Sequence, residues 1–390
     1  MNSRESGPAE GKRAGYKIYI LIFFSVLLIS ATTLFSLYKI SLREGIKSME
    51  ENEANLVEQQ KETIRLDFET IVSGLFLFAD HTSTRISESN LTGLAVDYKD
   101  YSNRMKLYDQ VRYLDNSGLE VVRINFNEGT PSIVPKEKLQ NKGFRYYFKD
   151  TFLLNRGEIF VSPLDLNIEG GIIERPTKAR PEDDIFNSIW RPEREGTYSK
   201  PMIRFGTPVF DKGGVKRGVI LFNYFGNILL KRFEKIGINS AGKSLLVNKD
   251  GYWLKGPSND LEWGFMQEHD YCKEANIKND FPEASKTIFA ENKGQFYTEE
   301  GLFTFSTVYP IKRGMRTTTG SGQAFADSAK NLEADEYVWK VVSYVPSSVF
   351  KERAGMIFRR LFIAYLGFIV ILAGGIFYYA KRDNKNGQQL

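Results

Sequence analysis

One cysteine and two histidines in 390 residues leave little for several kinds of chemistry. Cys272 has no second cysteine to pair with, so no intrachain disulfide forms and the fold rests on its core. A bacterial periplasm or outer surface is compatible with that, without being required. His81 and His269 stand apart from any cysteine pair, so zinc-site spacing is missing. Thr317 to Gln323, TTTGSGQ, lacks the lysine and spacing of a phosphate-binding loop. Asp165 to Gly170 begins like a calcium loop, but its twelfth position is Pro176, where a bidentate glutamate is required. There is no Gly-x-Ser-x-Gly elbow. Nucleophile, base and metal are all missing, so the sequence predicts a non-enzyme with no cofactor. Basic runs are missing too. The net charge of +5 is scattered along the chain, which argues against a nucleic-acid partner.

Two stretches lack charge altogether. Ile18 to Tyr38 lies between Lys17 and Lys39, and Leu361 to Ala380 lies between Arg359-Arg360 and Lys381-Arg382. Each is close to the ~20 residues a helix needs to cross ~30 Å of hydrocarbon. A cleaved signal peptide is the competing reading of the first. Its apolar core exceeds the usual ~7–15 residues and no A-x-A site follows. A buried core helix competes for the second, against its all-round apolarity and abrupt basic edges. We therefore expect transmembrane helices at 18–38 and 361–380. Arg4, Lys12, Arg13 and Lys17 precede the first; Lys381, Arg382 and Lys385 follow the second. The positive-inside rule puts tails 1–17 and 381–390 in the cytoplasm and the long middle outside, in a two-pass inner-membrane topology. Arg353, Arg359 and Arg360 oppose that assignment, but residues joined to long domains count little in the rule.

What lies between is composed like a folded protein, 42% hydrophobic and 26% charged. Residues 39–84 read as a long helix. Ile64, Phe68, Ile71, Leu75 and Phe78 recur at spacings of four and three, one apolar stripe. The stripe either packs on the following domain or meets its copy in a homodimer, and both readings fit different parts of one helix. Strand texture then begins. Val111–Leu114 and Leu119–Phe126 flank the turn Asp115-Asn116-Ser117-Gly118, with Val122, Ile124 and Phe126 on one face. Gly157–Ser162 is a third strand, and Met202–Phe210 with Val215–Asn223 a second hairpin. The pattern returns at Ser244–Asn248, Tyr252–Leu254, Gly294–Tyr297, Leu302–Ile311 and Tyr337–Val345, which suggests a repeated module. The expected modules are 85–230 and 231–346. Residues 177–199, with Trp190, and 313–336 read as long loops, the second mobile. A helix at 347–360 leads into the second span.

The strings QVRYLDNSGLEVVRIN, FRYYF, GEIFVSPLDLNIEGGIIERP and KPMIRFGTPVFDKGGVKRGVILFNYFG, in that order, resemble the double Cache family of extracytoplasmic sensor domains. The likeness covers roughly residues 40–350. It is nearest to sensor regions of bacterial histidine kinases, with relatives on diguanylate cyclases and chemoreceptors. It implies an α+β fold: a long N-terminal helix and two PAS-like modules with antiparallel sheets, flanked here by the two transmembrane helices. It implies a small-molecule ligand in the membrane-distal module and a relay through the proximal one. Amino-acid-binding members carry an R-x-W-Y pattern. Arg145, Tyr147 and Phe148 fill its places, with tyrosine for tryptophan and phenylalanine for tyrosine. Asp165 corresponds to an aspartate after the third strand. The amine-anchoring aspartate after the fifth strand is Asn223 here, which counts against an amino acid. Tyr146 and Tyr224 are further candidates.

Arginine can hold a carboxylate with a planar fork of donors, and tyrosines supply apolar walls with polar tips. An Arg145–Asp165 structural salt bridge is the bland alternative. The expectation is a membrane receptor for a small polar ligand, a carboxylate among the candidates. It would signal as the input part of a kinase or cyclase system, since Lys381–Leu390 is too short for an output domain, or through a cytoplasmic or membrane partner. A membrane-tethered scaffold of the cell envelope is the alternative.

Overall fold

In the computed structural model, one helix, α1 (Pro8–Ser87), covers both the first apolar stretch and the charged region after it. The structure describes residues 8–127, 129–169, 172–174, 199–266, 274–320, 327–328 and 330–386. The expected loop 177–199 with Trp190 lies outside these residues except for Ser199, and Cys272 and His269 lie outside them too. The chain divides into two units, Met1–Glu51 with Pro346–Leu390, and Asn52–Val345.

In the central unit, Ile64, Phe68, Ile71, Leu75 and Phe78 of α1 are buried together in the main core, as their spacing predicts. A second helix, α2 (Leu91–Met105), starts at Asn90, whose side chain accepts from the Gly93 N–H. Then come β1 (Tyr108–Asp115), β2 (Glu120–Asn127) and β3 (Thr130–Ile133). Asp115 closes the β1–β2 turn by accepting from the backbone N–H groups of Ser117 and Leu119, and Gly118 takes a φ of 81°. Helix α3 (Tyr146–Phe152) follows. Four short strands come next: β4 (Phe160–Val161), β5 (Asp165–Leu166), β6 (Ile168–Glu169) and β7 (Ile172–Ile173). The long strands β8 (Pro201–Phe210) and β9 (Lys216–Phe225) turn at Asp211, which repeats the aspartate-capped geometry, and α4 (Gly226–Gly237) leads away.

The second half contributes β10 (Lys243–Asn248), β11 (Trp253–Lys255), α5 (Ile277–Asp280), α6 (Pro282–Ala290), β12 (Lys293–Tyr297) and β13 (Gly301–Val308). It ends with β14 (Arg316–Thr318), β15 (Asn331–Leu332) and β16 (Trp339–Pro346), after which α7 (Ser347–Asn386) begins. The first sheet contains the order β2-β1-β9-β8-β4 and the second the order β11-β10-β16-β13-β12. Taken within each half, these are the same antiparallel arrangement of second, first, fifth, fourth and third strand. The two modules are PAS-like copies of one topology.

Two expectations need correction. The third strand is only Phe160–Val161, shorter than 157–162. The stretch 313–336 is not simply a loop: β14 pairs in parallel with β4, Arg316 beside Phe160 and Thr317 beside Val161, and β15 pairs with β14. Thr317 also donates its hydroxyl to the Val161 carbonyl. Strands that lie in sequence between β13 and β16 thus extend the first sheet. Backbone groups at that sheet edge gain partners, a gain that local hydropathy does not announce. Residues 321–326 and 329 of the stretch lie outside the described residues.

Among the described residues, two helices of the terminal unit are long and apolar enough to cross a membrane, within Lys17–Ser87 and Ser347–Arg382, and their apolar windows bury no residue. That exposure is the reverse of a soluble core helix. The two segments touch along their length. The Tyr38 and Phe358 rings meet at 6.0 Å, Tyr365 donates to the Leu27 carbonyl at 3.1 Å, and a Cβ at Gly45 would stand 2.9 Å from Arg353 Nε.

Candidate functional site

Side chains alternate across a strand, so each strand of the first sheet has two faces. Val111, Tyr113, Ile124, Phe205, Phe222 and Tyr224 join the α1 stripe in one core. The opposite face carries Leu114, Val219 and Leu221, which pack under Tyr146, Tyr147 and Phe148 of α3. Beyond that apolar patch the same face turns polar. Arg112 stands beside Arg123, Gln110 beside Asn223, and Arg204 beside Asn223 on four neighbouring strands.

These side chains line a cavity of about 50 Å³ with Gln140, Lys142, Arg145, Tyr147 and Asn167. Arg112 is almost fully buried. Its Nη2 donates to Asn223 Oδ1 at 2.7 Å and its Nη1 to the Tyr147 hydroxyl at 3.5 Å. Buried Glu120 lies 3.6 Å from Arg112 and accepts from Arg123 at 2.8 Å. Arg204 donates to Asp165 at 3.1 Å and to Asn167 at 2.7 Å. Burial pushes Asp165 up to about 6, against the pull of Arg204.

Tyr147 is the hub. The guanidinium carbons of Arg112 and Arg204 lie 5.4 Å from its ring centre, and that of Arg145 lies 5.8 Å away. Burial alone would raise the phenol's pKa. The positive charges of Arg112, Arg145 and Arg204, with the Arg112 hydrogen bond, outweigh burial and bring it down to about 8. A phenol so placed reports positive potential inside the cavity. Among the described residues no carboxylate lines the cavity, and no cluster of three metal-ligating side chains occurs.

Of the seven residues singled out from the sequence, Arg145, Tyr147 and Asn223 meet at the cavity. Arg145 sits at the head of α3 and donates to the Ile168 carbonyl at 3.2 Å. Asp165 stands behind the lining and engages Arg204, where the sequence suggested Arg145. Tyr146 and Phe148 belong to the apolar cluster under α3, and the Phe148 ring stacks on Phe152. Tyr224 is on the far face of the sheet, donating to Asp67 of α1 at 3.2 Å. Arg112, Arg123 and Arg204 were not singled out. Each is an arginine inside a strand otherwise rich in apolar residues, VRYL, VVRINF and MIRF, and that pattern is the signal that marks them.

The fold is that of extracytoplasmic sensor domains. No protein-family profile matches the chain, and no curated protein does. Among solved structures, the extracellular domain of a protein assigned as a histidine kinase, vpHK1S-Z8, superposes with a TM-score of 0.57 at 18% identity. The match covers 80% of this chain and 96% of that one. A domain of a protein assigned to the sensory box/GGDEF family of Vibrio parahaemolyticus gives 0.54 at 18% identity, over 77% of this chain and 99% of that one.

Proposed function

We propose that the chain is a membrane-anchored sensor whose central unit lies outside the cytoplasm and binds a small polar ligand in the Arg112–Tyr147–Arg204 cavity. The observation that carries this reading is the cavity itself. Arg112 of β1, Arg204 of β8 and Arg145 at the head of α3 converge on one buried tyrosine, in the first of two modules with a sensor-domain fold. Glu120 answers Arg112 and Arg123 together and Asp165 answers Arg204, so three guanidiniums meet two carboxylates, and an anion in the cavity would offset the excess.

The route to the membrane follows from β9. Asn223 faces the cavity, while the next residue, Tyr224, faces α1 and bonds Asp67. A ligand that favours one arrangement of this strand biases α1 as well, by selecting between existing states. Signal output then passes to a kinase- or cyclase-type partner segment.

Thermal melting of the full-length protein against carboxylates, inorganic anions, amines and sugars tests the binding. A ligand at ~100 times its Kd adds about 2.7 kcal/mol to the native state. A melting shift is expected, and it should vanish in Arg112→Ala. A reporter fused within the central unit tests the topology: activity on the cytoplasmic side refutes the sensor reading.

A further inference from the structure

The lining also narrows the ligand, an inference that rests on the cavity being the ligand site. We propose that the cavity takes a compact oxyanion with two negative charges and no ammonium group, a chemistry shared by sulfate, phosphate and oxalate.

Size is the first argument. A water needs ~10–15 Å³ of such space and drug-sized ligands ~300–1,000 Å³, so about 50 Å³ holds only a few non-hydrogen atoms. Donor geometry is the second. Arg112 and Arg123 both line the cavity, and the single carboxylate of Glu120 serves the two of them. Two guanidiniums side by side on β1 and β2 therefore offer planar donors suited to two oxygens of one anion. The third argument is what an ammonium would meet. No carboxylate lines the cavity among the described residues, and Asn223 Oδ1 already accepts from Arg112. A zwitterion would push its cation against guanidiniums. The ring face of Tyr147, the one aromatic surface of the lining among the described residues, is flanked by the three arginines and leaves little wall for an apolar side chain.

The test is isothermal titration calorimetry on the full-length protein in detergent micelles, at fixed ionic strength. The probes are sulfate, phosphate, oxalate, acetate, glycine and alanine. At least one dianion should bind saturably, more tightly than acetate, and the two amino acids should give no binding heat. Arg123→Gln leaves Glu120 its contact with Arg112 and is the variant expected to stay folded. It should weaken dianion binding about ten-fold or more, and Arg112→Gln should do the same. A cooperative melt in each variant verifies folding. Glycine or alanine binding that either variant removes overturns the ligand class but leaves the cavity reading intact. Acetate binding as tightly as the dianions overturns the requirement for two charges. Dianion binding that neither variant changes, or no binding by any probe, overturns the inference and the cavity reading together.

Discussion

Tyr147 is a built-in probe of the cavity's potential. Arg112 of β1, Arg204 of β8 and Arg145 at the head of α3 surround its ring, and its phenol is drawn down to about 8. An ultraviolet titration of tyrosinate, wild type minus Tyr147→Phe, should therefore show one group ionising near pH 8. Because the folded value lies below the ordinary ~10, this group adds stability as pH rises from about 8 toward 10 and adds none below. A bound anion should push the ionisation back up. Asp165 has the opposite sign. Its folded value of about 6 lies above the usual carboxylate range, so the folded state holds the extra proton. Its contribution to stability falls as pH rises from about 4 to 6. Chemical denaturation across that window should show wild type losing ground that Asp165→Asn does not lose. A steeper gain in wild type would contradict the assignment.

Two buried carboxylates of α1 fasten it to other elements of the central unit. Asp67 accepts from Tyr224 of β9 and pairs with Arg232 of α4. Burial raises its pKa, with Arg232 and Tyr224 opposing. Glu53 accepts from the Ser240 hydroxyl at 2.7 Å, the Ala241 N–H at 2.8 Å and the Ser343 hydroxyl of β16 at 2.6 Å. The chain of β16 runs directly into α7. Glu53→Ala would take the acceptor away from all three donors. Removing one partner of a buried bond costs about 1–3 kcal/mol, and that loss is expected in urea unfolding of Glu53→Ala and of Asp67→Ala. A change under ~0.5 kcal/mol in either would refute these contacts as fastenings.

How far the sequence could be read differs between these elements. The helix stripe and the two aspartate-closed hairpins were legible because period and turn chemistry are local. Arg112 and Arg204 were not, because, although an arginine inside an apolar strand marks each one locally, only the register between strands brings them to one cavity. FRYYF drew attention to Arg145, Tyr146, Tyr147 and Phe148 alike, with no hint that Arg145 and Tyr147 line the cavity while Tyr146 and Phe148 stay in the apolar cluster. That depends on the phase of a helix seven residues long. Strand pairing such as β14 on β4 joins residues more than 150 positions apart, and no local pattern encodes it.

At the scale of the molecule, β14 and β15 have a consequence for cooperativity. They belong in sequence to the second module and in hydrogen bonding to the first sheet. The Tyr337 hydroxyl adds a bond to the Ser162 carbonyl at 3.0 Å. The modules should therefore unfold together. Scanning calorimetry should give one transition for the central unit, with van't Hoff and calorimetric enthalpies in agreement. Two separated transitions would mean independent modules. The long helix also exposes Leu66 and Leu77, 48% and 67% accessible and three turns apart on one side. We propose that side for a homodimer contact. Cysteine cross-linking at Leu77 should trap a dimer in membranes, and monomer alone under oxidation would refute that contact.

The central claim is that the cavity and the membrane-linked elements are one coupled system. Hydrogen exchange on the full-length protein in lipid nanodiscs, with and without saturating sulfate or oxalate, tests it most directly. The account predicts altered protection at the cavity strands, and also around Asp67 and Glu53 of α1 and in β16. Protection that changes at the cavity alone would describe a binding protein without a relay and would contradict the account.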